Sequence, residues 1–369
     1  MPEFYLLFLL FSFLLFTGIK FFSLGIRKPK LEGIELSKIS VVIPFRNEEQ
    51  NLPQLLASIL KQQHIPNEVL FVNDHSNDKS EAIIHSFIEE HNIGFLFSLP
   101  LNQSGKKAAL NYGIEKANSR FILTLDADVV LNEDYFQSFS SLYAEGLSSL
   151  PVVMKGKGFL GKLFSTEYSF FNAFNFLFSS IWPISISGAN LIFDSKSIDY
   201  KEQLKSHQHL ASGDDYFLLK EFRKNSLPIY ISNAYRNSVE TDAPKSLKAY
   251  FDQRVRWLSK SKFNMDWIDS LIGLFVFIYF IGGFAALLLA AISGGWLVFG
   301  SIFLIRLLID ALVYLNYAQK LRDSKNVLML PFFQVIYPVL FLVVGILAVF
   351  YKPAWKGRVT ERERERERK

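Results

Sequence analysis

The sequence predicts an α/β fold, a mostly parallel sheet covered by helices on both faces, with membrane-spanning helices at both ends of the chain. Three observations predict it. Between about residues 35 and 265, short β-rich runs alternate with amphipathic helical stretches. Apolar runs of about twenty residues open the chain and fill its last third. Clusters of Asp, Asn and Lys fall just after the predicted strands, where open α/β sheets hold their ligands.

Composition supports the membrane part. Half of the residues are hydrophobic and the mean hydropathy is +0.19, both high for a soluble chain. The formal net charge of +5 suits an anionic membrane surface or an anionic ligand as well as nucleic acid. The absence of Cys excludes thiol chemistry, disulfides and Cys-zinc sites.

The first element is an apolar run over residues 4–22, uncharged until Lys20. Glu3 precedes it, and Lys20, Arg27, Lys28 and Lys30 follow. A secretory signal would begin basic and end in small residues. Residues 1–34 therefore read as an uncleaved anchor with its N-terminus outside and the following chain in the cytoplasm. A buried core helix is the alternative.

The middle of the chain, residues 35–265, reads as one domain. A strand over 39–43 is ended by Pro44, and Asn47-Glu48-Glu49 then opens a helix through Leu60. A strand over 69–72 leads through polar residues into a helix to about Glu90. Strands over 95–97 and 121–125 flank a helix over 105–117. Further on, residues 159–183 are rich in Phe but interrupted by Lys162 and Glu167. They read as a helix in the membrane interface, with a core helix or an extra span as alternatives.

Three more apolar runs, about 268–291, 296–317 and 327–351, make a C-terminal membrane region over 266–352. Ser293-Gly294-Gly295 separates the first two, and a basic loop from Lys320 to Lys325 the last two. Strict alternation puts the tail after Tyr351 outside, whereas Lys352, Lys356 and Arg358 favour the inside. Pro331 and Pro338 allow a broken, re-entrant last segment. Arg306 and Asp310, four apart in one span, are functional candidates or, as the preferred reading, partners on one helix face. The charged tail over 353–369, which ends in the Glu-Arg repeat from Glu361, reads as solvated.

Several constellations carry chemistry. Asp126-Ala127-Asp128 leaves the fourth strand, and residues two apart in an extended chain face the same way. Paired carboxylates there suit Mg²⁺ or Mn²⁺ bridging protein and substrate phosphates; a polar turn is the alternative. In Asn73-Asp74-His75-Ser76-Asn77-Asp78, Asp74 is placed to accept from a base or ribose, unless the segment is an Asx turn with Asn77 or Asp78 capping the next helix. Lys106 and Lys107 open a helix whose free N–H groups favour phosphate; without P-loop spacing, a solvated lysine face is equally open. Ser212-Gly213-Asp214-Asp215 precedes another helical pattern and offers either a general base or a helix cap. In Gln253-Arg254-Val255-Arg256-Trp257 the arginines supply planar phosphate donors and Trp257 a stacking face, unless the segment is an interfacial belt. His207-Gln208-His209 lacks a third ligand.

Taken in order, Val42-Ile43-Pro44-Phe45-Arg46-Asn47-Glu48-Glu49, the 73–78 segment, Gly105-Lys106-Lys107-Ala108-Ala109-Leu110-Asn111, Asp126-Ala127-Asp128, Gly213-Asp214-Asp215 and the 253–257 motif resemble the family 2 membrane glycosyltransferases. These have the GT-A fold and include cellulose, chitin and hyaluronan synthases and ceramide glucosyltransferases. The resemblance covers roughly the middle two-thirds of the chain. It implies an enzyme of the cytoplasmic face of a bacterial plasma membrane that moves a sugar from a nucleotide-sugar, of the UDP type, with inversion. By the same resemblance, Asp215, with Asp214 beside it, is the catalytic base. Pro44, Asn47, Glu48, Asp74, Lys106, Asp126, Gln253, Arg254, Arg256 and Trp257 bind the nucleotide-sugar, the 253–257 motif at its pyrophosphate and beside the acceptor site, and Asp128 with Asp126 holds Mg²⁺ or Mn²⁺. Two departures matter: Asn73-Asp74 replaces the usual pair of acids, and Asp214-Asp215 the usual Glu-Asp, which leaves Asp214 or Asp215 open as the base. The expected acceptor is a membrane lipid or lipid-linked group, with processive polysaccharide synthesis as the alternative. A nucleotidyltransferase and a non-catalytic nucleotide-binding membrane protein are rivals of other classes. Nucleic acid is not an expected partner.

Overall fold

A computed structural model describes residues 2–25, 33–142, 145–198, 214–261 and 266–351. Among them the chain divides into two compact units. One, the sheet unit, takes in residues 33–153 and 185–242; the other, the helical unit, takes in 2–25, 154–184 and 243–351.

The sheet unit is built on four parallel strands, β1 (Ile39–Phe45), β2 (Glu68–Asn73), β3 (Phe95–Ser98) and β4 (Phe121–Leu125), in the order β3-β2-β1-β4. Every residue of β1 and β4 is buried, as a parallel strand covered on both faces requires. All four strands fall where the apolar runs predict them. Pro44, expected to end β1, instead lies inside it. The ladder to β4 stops at Val42, so no partner on that side needs a proline N–H. The first helix, expected from Asn47, begins at Leu52. Asn47 takes a left-handed φ of 50°, a conformation Asn tolerates but a helix does not.

Beyond β4 the sheet is mixed, a feature absent from the sequence reading. A short β5 (Val129–Leu131) follows β4, and β6 (Leu147–Ser149), β7 (Val152–Lys155), β8 (Asn190–Asp194), β9 (Ile229–Ile231) and β10 (Val239–Asp242) come later. β8 pairs antiparallel with β4, from Phe121 against Asp194 to Leu125 against Asn190, and β6 and β9 extend that edge. These strands have three to five residues each, too short for a periodic signal. A core of Val42, Leu70, Ile122, Phe193 and Phe222 fills one face, and each such burial stabilises by about 1.5–3 kcal/mol. The Lys106–Lys116 helix lies directly on β1 and β2, where a Cβ at Gly113 would collide with Val42 and Val72.

In the helical unit, four helices are long and apolar enough to cross a membrane: Pro2–Ser23, Trp267–Ile292, Trp296–Ala318 and Ser324–Phe350. They fit an integral membrane protein. The last is not broken. Pro331 falls in the first turn of the Leu330–Phe350 helix, where its missing N–H had no partner to lose, and Pro338 is accommodated within it. The Phe-rich segment forms the Gly158–Phe178 helix, with Phe164, Phe170, Phe174 and Leu177 buried. Its rings pack on Phe16, Tyr317 and Phe333 at 5.2–5.8 Å, so one face of it is buried within this unit. Arg306 and Asp310, expected to pair, make no direct ion pair. The Asp310 carboxylate accepts from Tyr279 Oη at 2.7 Å and Gln334 Nε2 at 2.9 Å, while the Arg306 guanidinium lies over the Tyr279 ring at 5.1 Å. Other helices supply better-placed donors than the same-face arginine one turn back.

Candidate active-site residues

In the sheet unit the predicted residues gather at the carboxyl ends of β1, β2 and β4. Asp74, the residue after β2, donates its N–H to Phe45 O at 2.9 Å and accepts the Gly105 N–H on Oδ1 at 3.0 Å. Gly105 has φ of 104°, open to glycine and hostile to a Cβ, and it starts the Lys106–Lys116 helix. Asp74 therefore ties three segments together and is only 1% exposed. Arg46 Nη1 locks the same turn by donating to the carbonyls of Asp74 and His75 at 2.7 and 2.8 Å.

Pro44 is buried within β1. Asn47 and Glu48 brace the loop that follows. Asn47 Oδ1 accepts the Asn77 N–H at 2.9 Å, and the Glu48 N–H donates to Ser80 Oγ at 2.7 Å. Glu48 Oε2 accepts from Asn51 Nδ2 at 2.6 Å. Asp78 receives the backbone N–H of Ser80 at 2.9 Å and of Glu49 at 3.1 Å, but it stands one residue ahead of the cap position, which Lys79 occupies, so neither Asn77 nor Asp78 is the cap. Burial pulls its carboxyl up in pKa, but these hydrogen bonds outweigh it and hold the group below its ordinary value.

The two lysines divide. Lys106 Nζ stands 2.5 Å from Asp126 Oδ1, with side chains 31% and 26% exposed. Lys107 is buried, its ammonium 5.6 Å from the centre of the Phe217 ring. A solvated lysine face is thus ruled out. Asp126 donates its N–H to Ala189 O at 3.3 Å, and Thr124 Oγ1 donates to Gly188 O at 3.0 Å, so the loop before β8 frames the end of β4. Asp128 is exposed in the turn that leads into β5.

No cluster of three or more His, Asp or Glu able to hold a metal occurs among the described residues. What is present, Asp126 beside an ammonium and Asp128 open to solvent, fits a hard cation that completes its shell with water and substrate phosphates. Asp214 opens the Asp214–Lys224 helix, and Asp215 Oδ1 accepts the Tyr216 N–H at 2.8 Å. That contact serves a helix start and leaves the acid half-buried. Ser212, Gly213, His207 and His209 lie outside the described residues.

In the helical unit the 253–257 motif lies on the Leu247–Ser261 helix. Arg254, expected to donate to phosphate, is used otherwise. Its Nε and Nη2 donate to Glu167 Oε1 and Oε2 at 3.0 and 2.9 Å, and its Nη1 to Gln253 Oε1 at 2.5 Å. The guanidinium is sandwiched between Tyr250, at 4.9 Å, and Trp257, at 4.4 Å. Burial works against the charge, and Glu167 more than restores it, holding the Arg254 pKa above its usual value. Arg256 is half-buried and Trp257 is 36% exposed.

Sequence reasoning missed Glu167 as a partner, having read it as a break in an apolar run. A carboxylate inside a Phe-rich helix was itself the signal, since such a charge needs a counterion. It also missed Gly188 and Ala189, whose only mark is the run Ser187-Gly188-Ala189-Asn190 before an apolar strand.

Residues 40–176 match the sequence model of Glycosyl transferase family 2. A poly-beta-1,6-N-acetyl-D-glucosamine synthase of Staphylococcus epidermidis is 30% identical over 145 residues, 38% of this chain and 35% of that protein. The protein of the same description from Staphylococcus aureus (strain COL) is 28% identical over 148 residues, 39% of this chain and 35% of that protein. The chain thus spans about a third of the length of these curated relatives. Among solved structures, mannosyltransferase PcManGT from Pyrobaculum calidifontis, in complex with GDP-Man and Mn²⁺, superposes with a TM-score of 0.57. The superposition covers 93% of this chain and 96% of that one at 16% identity, a likeness of fold.

Proposed function

We propose that this chain, whose residues 40–176 match Glycosyl transferase family 2, is a glycosyltransferase that moves a sugar from a nucleoside-diphosphate sugar, of the UDP type, to a membrane lipid or lipid-linked hydroxyl. The observation that carries the donor half is the Asp126-Ala127-Asp128 turn at the end of β4, with Lys106 closed on Asp126.

In this reading Asp74 and Lys106, at the start of the Lys106–Lys116 helix, serve the nucleotide and its phosphates. Mg²⁺ or Mn²⁺, held by Asp128 and Asp126, would supply charge neutralisation to the departing diphosphate. Arg256 takes the phosphate role first expected of both motif arginines. Asp215 accepts the proton of the acceptor hydroxyl as its oxygen bonds to the anomeric carbon. The bond from that carbon to the diphosphate oxygen breaks on the opposite side, and the nucleoside diphosphate leaves with the electron pair, inverting the centre.

The acceptor follows from the helical unit. Arg306 and Asp310 are fully buried against Tyr279, Phe280 and Gln334 rather than lining an open passage. That favours adding one or a few sugars to a lipid over threading a polymer. The printed description of the Staphylococcus relatives favours polymer synthesis, over the third of their length that matches. Product mass decides between them. Purified protein supplied with UDP-N-acetylglucosamine or another UDP-sugar, Mn²⁺ and lipid vesicles should release nucleoside diphosphate and yield a glycolipid of fixed mass. A long polymer made without added lipid acceptor would favour the second reading, and pyrophosphate exchange in place of diphosphate release would overturn both.

We assign the sheet unit to the cytoplasm, because Arg27, Lys28 and Lys30 follow the first span and Lys320, Arg322 and Lys325 lie between the last two. The chain has no native cysteine, so single introduced cysteines can report the side by impermeant labelling. A cysteine at Ser138 labelled in intact cells would reverse the assignment.

A further inference from the structure

The helical unit holds an ion pair that the reaction scheme above does not use. Glu167, on the Gly158–Phe178 helix, and Arg254, on the Leu247–Ser261 helix, have side chains 7% and 8% exposed. Two parallel N–H···O bonds of 3.0 and 2.9 Å join them, the fork geometry that fixes direction as well as distance. A buried pair of this kind is weak evidence for stability, since apolar residues of similar size hold helices together as well. What it does supply is orientation.

That orientation reaches Trp257. The Arg254 guanidinium carbon lies 4.4 Å from the centre of the Trp257 ring and 4.9 Å from that of Tyr250, one turn to either side on the same helix. Tyr168, the residue after Glu167, meets Trp257 at 6.0 Å with its ring tilted by 46°. The indole is held by the arginine and the tyrosine and still keeps 36% of its surface open. A braced aromatic with an open part is a stacking surface for a sugar ring or other apolar face. Gln253, next to Arg254, is oriented by the same guanidinium through its 2.5 Å contact.

We propose that Glu167 is a positioning residue for the acceptor: by gripping Arg254 it sets the Trp257 indole as the platform on which the acceptor lies. The proposal rests on the transferase reading above and adds a residue outside the 253–257 motif. Without the Glu167 charge, Arg254 turns toward other acceptors of its hydrogen bonds, and the indole loses its backing. Acceptor binding then weakens, while the donor, which the scheme assigns to Asp74, Lys106, Asp126, Asp128 and Arg256, is bound as before.

The test uses the full chain in vesicles of bacterial polar lipids, with UDP-N-acetylglucosamine and Mn²⁺ as the donor system and octyl β-N-acetylglucosaminide as the probe acceptor. Glu167→Gln keeps the shape and removes the charge, and Glu167→Asp keeps the charge on a shorter arm. Expected for Glu167→Gln is a KM for the probe raised by about tenfold or more, the scale of a misplaced positioning group. Its KM for the donor, and its release of UDP to water without acceptor, should match the unsubstituted protein, with Glu167→Asp in between. An unchanged probe KM in folded Glu167→Gln overturns the proposal. So does failure of both variants to fold, which would make Glu167 a structural residue only. If the unsubstituted protein releases no UDP under any condition, the transferase reading falls instead, and that outcome is read before any variant is compared.

Discussion

Two ion pairs, one in each unit, treat charge in opposite ways. In the sheet unit, Lys106 and Asp126 meet at 2.5 Å while each keeps more than a quarter of its side chain exposed. In the helical unit, Glu167 and Arg254 are nearly enclosed, and Arg306 and Asp310 are entirely so. A half-exposed pair can separate cheaply, because water takes up whatever the partner leaves. A buried pair cannot, because removing one member strands the other in a medium of low dielectric. The comparison teaches which charges are available to a ligand and which set the shape of the protein.

The sharpest way to break this comparison is Asp215→Asn. Asp215 is half-buried and the Asn variant keeps its shape and an acceptor oxygen, so the fold should survive while turnover falls by about 10²–10⁴-fold, the scale of a lost general base. Nucleotide affinity should stay close to unchanged, as equilibrium binding of a nucleoside diphosphate would show. Full activity in the Asn variant would remove Asp215 from the mechanism and leave it as a helix cap.

Next in size is Asp310→Leu. Removing this carboxylate leaves Arg306 buried without a countercharge, and thermal unfolding in detergent should show a loss of about 3–5 kcal/mol. The double variant Arg306→Met with Asp310→Leu should recover most of it. If the single variant is as stable as the double, these charges are not coupled, and the contrast between the units loses its strongest member.

Asp128→Ala probes the exposed side. Mn²⁺-dependent nucleotide binding should weaken by about tenfold or more, the scale of one charged contact, with no change in unfolding temperature. Chelation should abolish transfer, and Mg²⁺ or Mn²⁺ should restore it. Full transfer in chelator would end the metal assignment.

The smallest expected effect is at Asp78. Its carboxyl titrates below the ordinary value of 3.8 in the folded chain, so it stabilises the fold at neutral pH and loses that contribution as the pH falls below about 3.8. Asp78→Ala should cost about 1 kcal/mol at pH 7, the net worth of a lost backbone hydrogen bond, and the two proteins should converge in stability in acid. A constant difference down to pH 2 would assign the loss to packing instead.

By itself the sequence determined the four central strands, the four long apolar helices and the polar clusters at the strand ends. Each is encoded locally: runs such as Phe121 to Leu125 have no face to spare for water, and residues 296–318 are too apolar to stay in it. It also marked Asp74, Asp126, Asp128 and Lys106 as a group, because strand ends in such a sheet point the same way. The tertiary structure alone decided three things. It placed β8 beside β4 and so made the sheet mixed, since a five-residue strand carries no mark of a partner more than sixty residues away. It gave Asp310 to Tyr279 and Gln334 instead of to Arg306, because donors from other helices reach it with better geometry than a neighbour on its own helix. And it withdrew Arg254 from the phosphate donors and joined it to Glu167, 87 residues earlier, because a buried guanidinium seeks a countercharge through space and not along the chain.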